Sequence, residues 1–281
     1  MQTLLNTPHE IIQQNILGAA AKAKTRILNI LVLGMMAGAF IAMGAQSSSL
    51  AVHNISNGGL AWTLAGYIFP VGLMMIVFVG GELFTGDCMM SMAWMQRKIH
   101  FADMLRTLVL VYVSNFVGAA LIAFLVAHSG QYDYSSGALG AYTIKVAYGK
   151  VHLSFANALV SGILCNILVC VAVLMAAAAK DIAGKVLAIF FPILAFVVSG
   201  FEHCVANMYY IPAGIFASKN AAYAAKALEL YNIDSTQLSS LNWGSFAISN
   251  LIPVTIGNII GGALLVGGAC FYLHGKSLHE S

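Results

Sequence analysis

Charge is scarce in this sequence. Only 8% of its 281 residues are Asp, Glu, Lys or Arg, where a soluble domain carries roughly 25%. With 60% hydrophobic residues and a mean hydropathy of +0.85, the chain cannot cover a water-facing surface, and it reads as an integral membrane protein. A net charge of only +3 gives no footprint for nucleic acid. The five cysteines (Cys88, Cys165, Cys170, Cys204, Cys270) are odd in number, contain no C-x-x-C spacing and sit in or beside apolar runs, so they are expected to be small buried side chains. The eight histidines are scattered. No nucleophile elbow, phosphate loop or metal-type His/Cys cluster is present, so neither an enzyme nor a metal or other cofactor is expected.

What is abundant is the uncharged run. Runs fall at about 27–51, 62–81, 107–128, 153–179, 186–201 with 203–218, and 241–273, and roughly 20 apolar residues are enough to span a bilayer as a helix. Six spans follow if 186–218 is one interrupted segment. With the N-terminus inside, Lys22, Lys24, Arg26, Arg97, Lys98, Arg106, Lys180, Lys185 and Lys276 lie on the inner side and Lys145, Lys150, Lys219 and Lys226 on the outer. That asymmetry predicts cytoplasmic termini. Residues 1–26 lack a cleavable signal pattern and are expected to form a cytoplasmic segment along the membrane.

Two spans stop and resume. The second meets GGELFTGDC at 80–88; the fifth meets SGFEHC at 199–204. Each is the middle helix of a three-helix half, 27–128 or 153–273. NFVGAALI (115–122) in span 3 resembles NIIGGALL (258–265) in span 6. Since span 1 runs outward and span 4 inward, the halves form an inverted repeat. Interrupted helices at matching places in such halves point to a binding or conduction site. The predicted fold is therefore all-α, six transmembrane helices in an inverted 3+3 repeat with helices 2 and 5 broken, within a single transmembrane domain, 1–281.

Non-helical backbone at membrane depth survives only beside protein or a water-filled cavity. The breaks offer Glu82, Thr85 and Asp87 on one side and Glu202, His203 and Asn207 on the other. Glu82 and Glu202 are read as stabilising the loops by accepting bonds from freed backbone N–H groups, because two fixed anions on a route would repel an anionic occupant. His203 is a pathway candidate whose charge responds to burial and to a neighbouring anion, and Thr85 is its natural partner. Phe69, Leu73, Leu83, Phe84, Val169 and Phe196 are either core or, if they line the route, dry constrictions. Lys150 either snorkels to the interface or supplies a field that draws anions.

GELFTG (81–86), CNILVCVAV (165–173), GFEHCVANM (200–208) and NLIPVTIGNIIGG (250–262), in this order and in these spans, resemble the formate/nitrite transporter family, which includes hydrosulphide channels. The resemblance implies an aquaporin-like fold and a homopentamer with one pore per protomer. It places Thr85 and His203 in a central chamber, Lys150 and Asn166 as polar neighbours nearer the outer mouth, and the six apolar residues at constrictions. It also suggests that segment 1–26, with His9 and Glu10, acts as a lid. Asp87 and Cys204 depart from common family residues and bear on substrate identity.

Together these features predict passage of a small monovalent anion or its weak acid (formate, hydrosulphide or nitrite) across a bacterial or archaeal cytoplasmic membrane, with His203 assisting by charge or proton sharing. Alternatives are an aquaporin-like neutral-solute channel and a proton-coupled anion symporter. The paired Asn-Pro-Ala motifs of aquaporins are absent; IPAG at 211–214 is the nearest match.

Overall fold

The computed structural model describes residues 5–275. Lys276, counted above on the inner side, and residues 1–4 lie outside the described residues. Among the described residues every named element is helical and there is no strand. Helix α1, Pro8–Lys22, opens with a capping box in which the Thr7 side chain and Glu10 satisfy each other's backbone N–H. Its Ile12 and Ile16 are buried in a cluster with Met89, Met90 and Met92, so this helix docks against the chain that follows the first break.

Helix α2 spans Ile27–Val52 and α3 spans Gly58–Val79, with Asn57 capping the latter. A short helical run, α4 (84–95), follows four non-helical residues. Next come α5 (Phe101–Ala127), α6 (Ala138–Val151) and α7 (Phe155–Ala178). Helices α8 (Ile182–Val198) and α9 (Cys204–Ala217) flank residues 199–203. A short α10 (Ala221–Tyr231) leads to the long α11 (Trp243–Gly275), which contains three π-helical stretches.

Five of these helices (α2, α3, α5, α7 and α11) are long and apolar enough to cross a membrane; α8 and α9 are shorter apolar helices. The outer face of α5 shows why water cannot be the solvent. Leu105, Val109, Val113, Val117 and Leu121 recur every four residues and are all exposed, an apolar stripe turned outward instead of toward a core. This is a multi-pass membrane protein.

Small residues let the helices cross closely, as membrane helices without a hydrophobic drive between them require. A Cβ on Gly38 of α2 would lie 2.0 Å from the Asn115 carbonyl oxygen of α5. Likewise, a Cβ on Gly257 of α11 would lie 2.2 Å from the Leu159 carbonyl of α7.

Candidate functional site: two helix breaks face each other

Both breaks are built the same way. At Gly80 (φ +103°) and Gly200 (φ +66°) the backbone turns into the left-handed half of conformational space, which a side chain would strain. Three residues on, Leu83 (φ −109°, ψ 119°) and His203 (φ −113°, ψ 117°) take nearly the same extended conformation as N-caps of the following helices.

Each break is also tied down by one buried asparagine. Asn115 Oδ1 accepts from the Phe84 N–H at 3.0 Å, while its Nδ2 donates to the carbonyls of Gly34 and Glu82, both at 2.8 Å. Asn258 Oδ1 accepts from the Cys204 N–H at 2.9 Å, and its Nδ2 donates to Gly162 at 2.7 Å and Glu202 at 3.0 Å. Residue for residue these are the same three bonds. The role expected of the Glu82 and Glu202 carboxylates therefore belongs to two amides. A carboxylate only accepts, whereas each break presents a N–H and a C=O two residues apart, which one amide serves together.

The glutamates point elsewhere. Glu202 Oε1 accepts from Lys150 Nζ at 2.8 Å, and its Oε2 accepts from Asn207 at 2.6 Å and Asn250 at 3.2 Å. At the other break, Lys22 of α1 forms ion pairs with both Glu82 and Asp87. Burial opposes the charge on Lys22, but the two carboxylates outweigh it and hold the ammonium protonated well beyond its usual range. Asp87 Oδ2 is buried with no hydrogen-bond partner.

Between these ends lie Thr85 and His203. Thr85 Oγ1 and His203 Nε2 are 2.9 Å apart, and both residues are buried. His203 Nδ1 accepts the Ala206 N–H at 3.0 Å, capping α9. An accepting Nδ1 carries no proton, so this network assigns the neutral tautomer with its hydrogen on Nε2, directed at Thr85. Asn166 adjoins Thr85: its Nδ2 donates to the Thr85 carbonyl at 3.1 Å and to the Asn258 carbonyl at 2.6 Å.

A cavity of about 220 Å³ reaches His203 and is lined also by Phe69, Lys150, Phe196, Glu202 and Asn207. Phe69 and Phe196 meet edge to face at 5.5 Å, and the Phe196 ring lies 6.0 Å from His203. Leu73, Leu83, Phe84 and Val169 are buried in the surrounding core, with Phe84 packed on Tyr112 at 4.8 Å. A second cavity, of about 530 Å³, opens at the opposite break beneath α1 and is lined by Lys22, Glu82, Gly86 and Asp87. No group of three or more His, Cys, Asp or Glu among the described residues is arranged to hold a metal.

Sequence reasoning missed Asn115, Asn258 and Asn250 as site residues. The signal was present, because the two matched segments NFVGAALI and NIIGGALL each begin with the asparagine that ties its break.

A membrane-spanning bundle with polar groups buried between two cavities at facing helix breaks defines a transport protein. The comparisons give the family. The model for formate/nitrite transporters matches residues 9–272, and the chain belongs to that family, whose members are transporters and channels, not enzymes. It is 39% identical over 272 residues to the uncharacterized transporter YrhG of Bacillus subtilis, covering 96% of this chain and 94% of that protein. It is 38% identical over 272 residues to the formate channel BtFdhC of Bacillus thuringiensis, covering 96% of each. Among solved structures it superimposes on a pentameric formate channel with formate bound, with a TM-score of 0.77, 31% identity, and coverage of 88% of this chain and 97% of the other.

Proposed function

We propose that this protein passes small monovalent anions as their weak acids, with formate as the principal substrate and hydrosulphide and nitrite as further ones, through one pore in each protomer of a homopentamer. The observation that carries this reading is the buried Thr85–His203 pair, set between two cavities where two helices break. The formate channels among its relatives support the substrate, and the pentameric formate channel supports the assembly.

The architecture is read as six spans, with α3–α4 and α8–α9 each one broken span, in two inverted halves, 27–128 and 153–273. The matched triads of Asn115 and Asn258 support that symmetry. The Lys and Arg distribution supports cytoplasmic termini in a bacterial or archaeal cytoplasmic membrane. The cavity at Lys150 is then the outer mouth, and α1 lies across the inner one as its lid.

In this mechanism the anion enters the outer cavity and takes a proton from the solvent there, leaving hydroxide to the bulk, before passing Phe69 and Phe196. A bare ion entering a low-dielectric medium faces a penalty on the order of 20 kcal/mol before relaxation, and neutralisation removes most of it. His203 remains neutral. A second proton would have to take the Nδ1 lone pair that caps α9, so the ring acts as a hydrogen-bond donor through Nε2, jointly with the Thr85 hydroxyl. Net movement is electroneutral, equivalent to proton–anion symport. The competing reading is bare-anion conduction past a charged His203.

Liposomes containing the protein separate the two readings when formate flux and membrane current are recorded together. Electroneutral passage gives flux without current, with flux lost in His203→Ala. Flux unchanged in His203→Ala overturns the role of the ring, and a current proportional to flux overturns passage as the acid.

A further inference from the structure

The cavity above His203 is lined by two lysines and one carboxylate. Lys150 is held by Glu202 at 2.8 Å, and the second oxygen of Glu202 is fixed by Asn207 and Asn250. The pair is neutral as a unit, so its field is dipolar and falls off quickly. Lys145, also on α6, is different. It is exposed, and among the described residues it makes no ion pair. Its ammonium instead lies 4.9 Å from the ring centre of Tyr231, on α10, and 5.7 Å from that of Tyr142. Aromatic faces position a cation without cancelling its charge, because a ring offers a quadrupole and no net charge. The positive charge left over in this cavity therefore resides on Lys145.

We propose that Lys145 is an anion-receiving site at the cavity mouth, concentrating small monovalent anions there before they reach Lys150 and His203, with Tyr142 and Tyr231 holding the ammonium in place. The site deepens the transport reading above and rests on it for the direction of entry. A fixed charge in a low-dielectric funnel raises local counter-ion concentration, and the Debye length of about 8 Å at physiological ionic strength lets one lysine act across such a mouth.

Trp62 lines the same cavity and reports on it independently of transport. In protein retaining only this tryptophan (Trp94→Phe, Trp243→Phe), iodide should quench Trp62 about two- to threefold less efficiently in Lys145→Met than in the parent. Quenching by neutral acrylamide should be equal, and Lys145→Arg should restore the iodide value. In liposomes the same Lys145→Met change should raise the formate concentration for half-maximal flux about three- to tenfold, leave maximal flux within about twofold, and flatten the dependence on added salt. Lys219→Gln, which removes a charge that does not line this cavity, should do none of these. Iodide quenching unchanged by Lys145→Met overturns the proposal even when formate flux is robust. Lost iodide quenching in a protein that carries no formate upholds the anion site and overturns the substrate assignment instead.

Discussion

Replacing Asn258 by leucine, a side chain of similar size, removes three hydrogen bonds at one buried point. The Cys204 N–H loses its acceptor, and the carbonyls of Gly162 and Glu202 each lose a donor. A buried N–H without a partner costs about 1–3 kcal/mol, while each carbonyl forfeits about 0.5 kcal/mol or more. Membrane-interior hydrogen bonds average nearer 0.6 kcal/mol each, so the combined loss falls at about 2–4 kcal/mol. Thermal unfolding in detergent should show it as a clear drop in midpoint. The loss is local, so the break should also open: Cys204, fully buried in the native protein, should become labelled by maleimide at a site mass spectrometry identifies. Asn115→Leu should give a loss of the same size, because its three bonds are as short. If Asn258→Leu melts with the parent and Cys204 stays unlabelled, the amide does not hold the break and the argument from paired asparagines fails.

Other outcomes follow from the two breaks and from α1. Lys22→Met leaves Glu82 and Asp87 facing each other without a cation and should destabilise the protein by about 3–5 kcal/mol in a melting experiment; adding Asp87→Asn should recover part of that loss. Thr85→Val leaves the His203 Nε2–H without its acceptor and should lower formate flux about tenfold or more, with Thr85→Ser close to the parent. The Thr7 N–H, followed by the Thr7 hydroxyl, holds the Glu10 carboxyl below the 4.5 of a free glutamate. Its contribution to the α1 cap is therefore complete above pH 4.5 and disappears as the pH falls through the lowered value. The Thr7 amide NMR shift should report that titration, and Glu10→Gln should abolish it.

Much of this was legible in the sequence. Uncharged runs located the long helices to within a few residues at most ends, and GGELFTGDC and SGFEHC marked both breaks. Thr85 and His203, 118 positions apart, could be paired because each stands just after a break. The partners of Glu82 and Glu202 were not legible. An acid beside freed amides suggests a local bond, while Lys22 and Lys150 reach them from helices 60 and 52 residues away. Hydropathy also hides an asparagine inside an apolar helix. Asn115 and Asn258 change neither the length nor the periodicity of their runs, and only comparing the halves singles them out. Asn166, expected as a polar neighbour of Thr85 and His203, lies beside the first of them, where it donates to the Thr85 carbonyl.

The shared backbone of Leu83 and His203 separates scaffold from chemistry. Two positions with nearly the same φ and ψ, each at the N-terminus of a helix and each followed by a N–H bound to an asparagine, carry a hydrocarbon at one break and an imidazole at the other. The two breaks therefore differ in their side chains on a backbone that repeats. His203→Leu would keep the backbone turn and its asparagine bond but lose the Nδ1 acceptor that caps α9. What distinguishes the two breaks is then a small set of side chains, His203 and Lys150–Glu202 at one and Leu83 and Lys22–Glu82–Asp87 at the other, carried on a backbone frame that repeats.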